Sequence, residues 1–194
     1  MFNVTPLVRT LIIVNVAVFV LQNFSDYITA YLSLWPLGTP YFKPYQFLTY
    51  MFAHGGFGHI FFNLLAFASF APILETYWGE KKFLFFYLAT GIGAGVIFGV
   101  VNYFFFPGQS GPMLGASGAL YGVLMAFGMV FPNMELMLLF PPIPIKAKYM
   151  VFVIGGITYM MDHSGTVAHL AHFGGAFVAF IIISYWRAGG KNFN

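Results

Sequence analysis

The feature that most constrains this chain is where its charges are missing. Six long stretches, Leu7–Asn23, Phe57–Tyr77, Phe83–Phe105, Gly115–Phe131, Lys146–Met161 and Val167–Trp186, carry no formal charge except Arg9, Glu75, Lys146 and Lys148 near their ends. With 60% hydrophobic residues, 7% charged residues and 26 phenylalanines among 194, a soluble globule of this size would lack the polar surface to cover itself. The bilayer is the solvent that fits. About 20 apolar residues at roughly 1.5 Å each cross the ~30 Å hydrocarbon layer. The expectation is an all-α polytopic membrane protein of six transmembrane helices, forming a single membrane domain over residues 1–194.

An even number of spans puts both termini on one side. Arg9 with Arg187 and Lys191, Lys81 with Lys82, and Lys146 with Lys148 then fall together, and an excess of Lys and Arg marks the cytoplasmic face. The first span is expected to be retained, since no small-residue cleavage site follows it. The compact core with short tails suggests a prokaryotic plasma membrane. Although the formal charge is +3, the eight Lys and Arg are scattered in ones and twos, which speaks against a nucleic-acid partner. The lack of cysteine excludes disulfides, thiolate catalysis and Cys-ligated metals.

Only Lys43 falls on the opposite, outer side. It sits in the segment Ala30–Gly56, whose Tyr41, Phe42, Tyr45, Phe47, Tyr50 and Phe52 are broken up by Pro40 and Pro44. Aromatic side chains gather at headgroup level, so this first loop is expected to lie in the interface. Between the third and fourth spans, Pro107 to Pro112 interrupts any helix, so the fourth helix is expected to start at Ser117 or just before it. That leaves about 17 residues before Pro132, too few to reach both surfaces. Non-helical backbone at membrane depth survives only within protein or beside a water-filled cavity, so an aqueous pocket is expected at Ser117.

Ionisable groups inside spans are costly and therefore candidates for function. The five histidines, His54, His59, His163, His169 and His172, all fall in the outer half of the expected topology. Ser117 lies in Gly115-Ala116-Ser117-Gly118, where missing side chains admit a substrate backbone and free amides at a helix start can bind an anion. Alone, that motif reads equally as a helix cap between packing glycines. His59 and Asn63 share one helical face, as oxyanion donors or as interhelical glue. On the last span His172 aligns with the Gly175 and Ala179 small-residue face and suits a general base near neutral pH, with His169 one turn away as the alternative. Of the carboxylates, Asp26, Glu75, Glu80, Glu135 and Asp162, none is placed to orient His172, so a dyad is expected rather than a triad. His54 and His59 are five apart with no acid nearby, unlike a zinc-protease helix, and no metal or other cofactor is expected.

Taken together, His54-x4-His59-x3-Asn63, Glu75, Gly115-Ala116-Ser117-Gly118, Tyr121 and Ala171-His172-x2-Gly175 resemble the rhomboid family of intramembrane serine proteases. The resemblance covers nearly the whole chain as a six-helix rhomboid-like bundle. It implies Ser117 as nucleophile and His172 as base, with His59, Asn63 and the backbone amides of Ser117 and Ala116 as the oxyanion hole. It also implies support from Gly115 and Gly118, a Tyr121 ring packed on the catalytic imidazole, and a structural role for Glu75. Expected partners are single-span or other transmembrane protein substrates, cut near the outer face. Two positions depart from the family: its common Trp-Arg pair is Tyr45-Gln46 here, and Ala179 stands where a glycine is usual. A silent family member would normally have lost the serine or the histidine. A transporter would line polar residues along a path to both faces, whereas the inner half here holds few.

Overall fold

The computed structural model describes residues 4–108, 111–137, 142–161 and 166–189. Each of the six apolar stretches is helical: α1 Pro6–Gln22, α4 Phe57–Trp78, α5 Glu80–Phe105, α6 Ser117–Val130, α7 Ala147–Met161 and α8 Thr166–Ala188. Among the described residues, α4, α5 and the His169–Ala188 part of α8 are long and apolar enough to cross a membrane. The helices α1, α6 and α7 are apolar but shorter, with 17, 14 and 15 residues. Two short helices in the first loop, α2 Asp26–Leu32 and α3 Gln46–Thr49, were not expected from sequence. Neither was the β-hairpin that pairs β1 Glu135–Met137 with β2 Pro144–Lys146. Asp162, His163 and Lys191 lie outside the described residues.

α6 is the centre of the bundle. Its residues Gly118–Leu124 and Ala126–Gly128 are all buried, as befits a helix that is apolar on every side. In lipid, helices pack by contact, and small residues let them approach closely. Gly118 of α6 abuts Gly175 of α8 so tightly that a Cβ on Gly175 would stand 1.8 Å from the Gly118 carbonyl oxygen. A Cβ on Gly118 would stand 2.9 Å from Cβ of Ala94 on α5, and one on Gly122 would stand 2.7 Å from Cβ of Thr90. The small-residue face expected on the last helix is thus the surface that meets α6, and Ala179 is fully buried in it. α4 and α5 are joined through Gly79 alone, whose φ of 79° suits a residue without a side chain.

At the far end of the bundle, Glu75 has a definite structural task. α1 begins with Pro6 at its first turn and has no side-chain cap of its own. The buried Glu75 carboxylate accepts the N–H groups of Leu7 (3.2 Å) and Val8 (2.9 Å) and the Thr5 hydroxyl (2.5 Å). An anion at a helix start satisfies orphan donors and complements the helix dipole. Arg187 serves the opposite need, donating to the Met129 carbonyl at the C-terminal end of α6.

The first loop is an ordered structure with its own buried keystone. Gln46, 2% exposed, accepts the N–H groups of Trp35 (3.3 Å) and Lys43 (3.0 Å) and donates to the Tyr41 carbonyl (3.1 Å). The second residue of the Tyr45-Gln46 pair therefore folds the loop from within. Leu34 exchanges both backbone bonds with Met113 (2.8 and 2.9 Å), and the Tyr50 carbonyl accepts the N–H of Gly115 at 2.9 Å. The loop thus grips the segment leading into α6 at two points.

Candidate active site

Gly115 is the wall shared by the two sides of the site. Its φ of 125° disfavours any residue with a side chain. A Cβ there would stand 2.8 Å from Cε1 and 2.9 Å from Nε2 of His59, and 3.7 Å from Oγ of Ser117. The absent side chain is the space in which His59 and Ser117 approach one another. Ser117 is the first residue of α6, and the first backbone bond of that helix is Leu120 N–H to the Ala116 carbonyl at 2.9 Å. The amides of Ser117 to Ala119 therefore precede the regular ladder, which makes this helix start receptive to negative charge.

His59 is held in a defined tautomer. Its Nδ1 accepts the Gly55 N–H at 3.3 Å, so the neutral ring carries its proton on Nε2, the atom that faces the Gly115 turn. Asn63, one turn further along α4, donates one amide hydrogen to the His59 carbonyl at 2.8 Å and has a second. Its buried Oδ1 has no hydrogen-bond partner among the described residues. His54 lies in the loop before α4, as expected, and its ring meets that of His59 edge to face with centroids 5.1 Å apart. Burial and, less strongly, the neighbouring His59 lower its pKa to about 4, with the Phe52 carbonyl 3.3 Å from Nδ1 pulling the other way.

On the other side, Tyr121 and His172 stack with centroids 4.1 Å apart and planes 9° apart. The Tyr121 hydroxyl lies 2.6 Å from Oγ1 of Thr158 on α7. His169 is set back, its ring 6.5 Å from that of His172 and 4.8 Å from Tyr159. Of the two, His172 is the one laid against α6. Among the described residues no group of three or more His, Cys, Asp or Glu is gathered as a metal site.

Sequence reasoning missed three residues that hold this arrangement: Gln22, Tyr50 and Thr158. Gln22 clasps the His54 backbone, accepting its N–H at 2.9 Å and donating to its carbonyl at 3.2 Å. Tyr50 reaches 2.6 Å to the Gly91 carbonyl with its hydroxyl while its own carbonyl holds Gly115. A buried amide at the end of an apolar span was a readable signal for Gln22. Tyr50 and Thr158 gave none, since their partners are 41 and 37 residues away.

A bundle of apolar helices, three of them long enough to cross a bilayer, defines an integral membrane protein. The chain belongs to the rhomboid family, whose Rhomboid domain matches residues 41–188. It is 30% identical over 203 residues to "Rhomboid protein 1, mitochondrial" of Saccharomyces cerevisiae, covering 95% of this chain and 45% of that protein. It is 31% identical over 145 residues to "Presenilin-associated rhomboid-like protein, mitochondrial" of Rattus norvegicus, covering 69% and 36% of the two chains. A shorter match, 39% identical over 83 residues, is to "Rhomboid-type serine protease 2" of Emericella nidulans, covering 43% and 16%. The chain thus spans less than half the length of each of these relatives.

Proposed function

We propose that this chain is an intramembrane serine endopeptidase that cleaves transmembrane segments of membrane proteins near the outer face through a Ser117–His172 dyad. The observation that carries the reading is the Gly115 turn, where Ser117 Oγ and the Nε2 of His59 converge on one empty position. The family membership and the relative named a serine protease support it.

In this mechanism Ser117 Oγ attacks the scissile carbonyl as His172 takes its proton. The oxyanion that forms is met by His59 Nε2–H, the free amide hydrogen of Asn63 and the backbone N–H groups of Ser117 and Ala116. His172 then returns the proton to the leaving amine, and water hydrolyses the acyl-enzyme with His172 again as base. Gly115 and Gly118 keep the turn open to substrate backbone and to α8, and Tyr121 supports the imidazole.

The proposed topology has six spans within a single membrane domain, with both termini on the face that carries the Lys and Arg clusters and the first loop in the opposite interface. On compartment, the yeast and rat relatives, which each match more than two thirds of the chain, are mitochondrial by name, which favours a mitochondrial membrane over the prokaryotic plasma membrane expected from sequence.

Pure protein in detergent, incubated with a single-span model substrate, tests the proposal. Cleavage is expected for the parent chain and should be lost in Ser117→Ala and in His172→Ala. Cleavage that survives Ser117→Ala rejects the nucleophile. Abolished cleavage in His169→Ala with near-normal cleavage in His172→Ala moves the base to His169.

A further inference from the structure

We infer that Thr158 of α7 is a positioning residue for the base, acting through Tyr121, and this rests on the reading of His172 given above. The direction of the Tyr121–Thr158 hydrogen bond follows from counting protons. Thr158 Oγ1 lies 3.0 Å from the Ile154 carbonyl and 3.1 Å from the Gly155 carbonyl, and both of these groups only accept. A threonine hydroxyl has one proton, and it goes to its own helix. Tyr121 must therefore be the donor in the 2.6 Å contact, with Thr158 as acceptor.

Two consequences reach His172. First, a stacked ring pair resists sliding only weakly, because the attraction between parallel faces changes little with small offsets. Anchoring the hydroxyl end of Tyr121 fixes the ring, and at 4.1 Å and 9° the ring fixes the imidazole. Second, a phenol that donates a hydrogen bond is polarised toward its oxygen and ring, which strengthens its face as a partner for a cation. His172 becomes that cation only after it has taken the serine proton. The bond therefore contributes more in the transition state than when substrate binds, and removing it should lower kcat and leave KM in place. A bond that merely glued α6 to α7 would change stability without this split.

Gly155 lies beside the ring edge of Tyr121, where a Cβ would make an ordinary contact 3.6 Å from Cε1. Among the described residues the Tyr121 hydroxyl makes no other hydrogen bond, so the anchor rests on α7.

The test is steady-state cleavage of the single-span substrate by Thr158→Val, Thr158→Ser, Tyr121→Phe and the Tyr121→Phe/Thr158→Val double variant, with Ser117→Ala alongside. Valine keeps the shape and loses the acceptor, and a fall in kcat of about tenfold is expected with KM within about twofold, the scale of one hydrogen bond in a barrier. Serine should restore most of the rate. The double variant should fall no further than either single one, because all three remove the same bond. Should Thr158→Val fail to accumulate, Tyr121→Phe removes the bond from the other side. Parent-like kcat in both single variants, a loss confined to KM, or additive losses in the double variant would overturn the inference. Because Ser117→Ala is measured in parallel, its residual cleavage would strike the protease reading. A dead Ser117→Ala beside a fully active Thr158→Val would strike only the role of Thr158.

Discussion

The two flanks of the Ser117 turn are built by different physics. Toward α8 the contact is backbone against backbone, Gly175 on Gly118, with no polar side chain and no slack. Toward α4 the contact is polar: Gln22 holds the His54 backbone, Gly55 holds Nδ1 of His59, and Tyr50 holds Gly115. The first flank resists compression and the second resists rotation. A site that must keep a serine close to a base while aiming an N–H at a developing charge needs both.

The sharpest way to break the comparison is Gly175→Ala. The added methyl would stand 1.8 Å from the Gly118 carbonyl oxygen and 2.7 Å from its carbon, both backbone atoms that cannot rotate away. A loss of roughly 3 kcal/mol or more is expected, seen as a large fall in thermal midpoint in detergent. The control is Gly156→Ala on α7, where nothing lies within 4 Å. There the better helix propensity of alanine should leave stability unchanged or raise it by up to about 1 kcal/mol. Equal midpoints for the two variants would remove the special status of the α6–α8 contact.

On the polar flank, Gly115→Ala should act on rate. The new methyl would meet the His59 ring at 2.8 Å, and φ at this position is 125°. Displacing one oxyanion donor costs about 100- to 1000-fold in rate. Cleavage should fall by that order while serine labelling by a small fluorophosphonate falls less, since the nucleophile itself is untouched. Near-parent cleavage would mean that His59 does not serve the oxyanion.

His54 gives this flank a pH dependence. Its ring is buried and its pKa lowered to about 4, so the fold accepts the neutral ring and excludes the protonated one. The unfolded chain binds the proton near pH 6.5. The contribution to stability is therefore complete above about pH 6.5, declines as pH falls, and is lost at about pH 4. It amounts to at most about 3 kcal/mol. Midpoints measured from pH 7.5 to 4 should drop more steeply for the parent chain than for His54→Gln. Parallel curves would refute the assignment.

The difference between the flanks also explains what could be read from the sequence. Gly175 and Ala179 stand four residues apart on one helix face, so the α8 side of a contact made of missing side chains was visible as a pattern, and the six apolar stretches gave helices within a few residues of those observed. The same held for the helix start at Ser117, since the breaker from Pro107 to Pro112 leaves few places to begin. The polar flank is a set of long-range pairings. Gln22 finds His54 across 32 residues, and Gly115 finds Tyr50 through a backbone carbonyl that any residue could supply. Periodicity carries no trace of such bonds. The short helices of the first loop were hidden for a related reason: Gln46 organises that loop by accepting and donating main-chain bonds, a role its residue type permits without announcing.

The smallest expected effect belongs to Gln22, and it tests whether the polar flank behaves as one unit. Gln22→Ala strips the His54 N–H and carbonyl of their partners and also the contact to Thr29 Oγ1 at 2.9 Å. Leaving such buried groups unpaired costs about 1–2 kcal/mol. If the clasp acts on His59 through the adjacent Gly55 N–H, turnover should fall several-fold together with the midpoint. Gln22→Glu should not restore it at neutral pH. Its carboxylate keeps an acceptor for the His54 N–H but sets a second oxygen against the His54 carbonyl, where the amide now donates. A Gln22→Ala chain with parent-like midpoint and turnover would show that the α4 flank is held by the loop alone, and that the end of α1 contributes only packing.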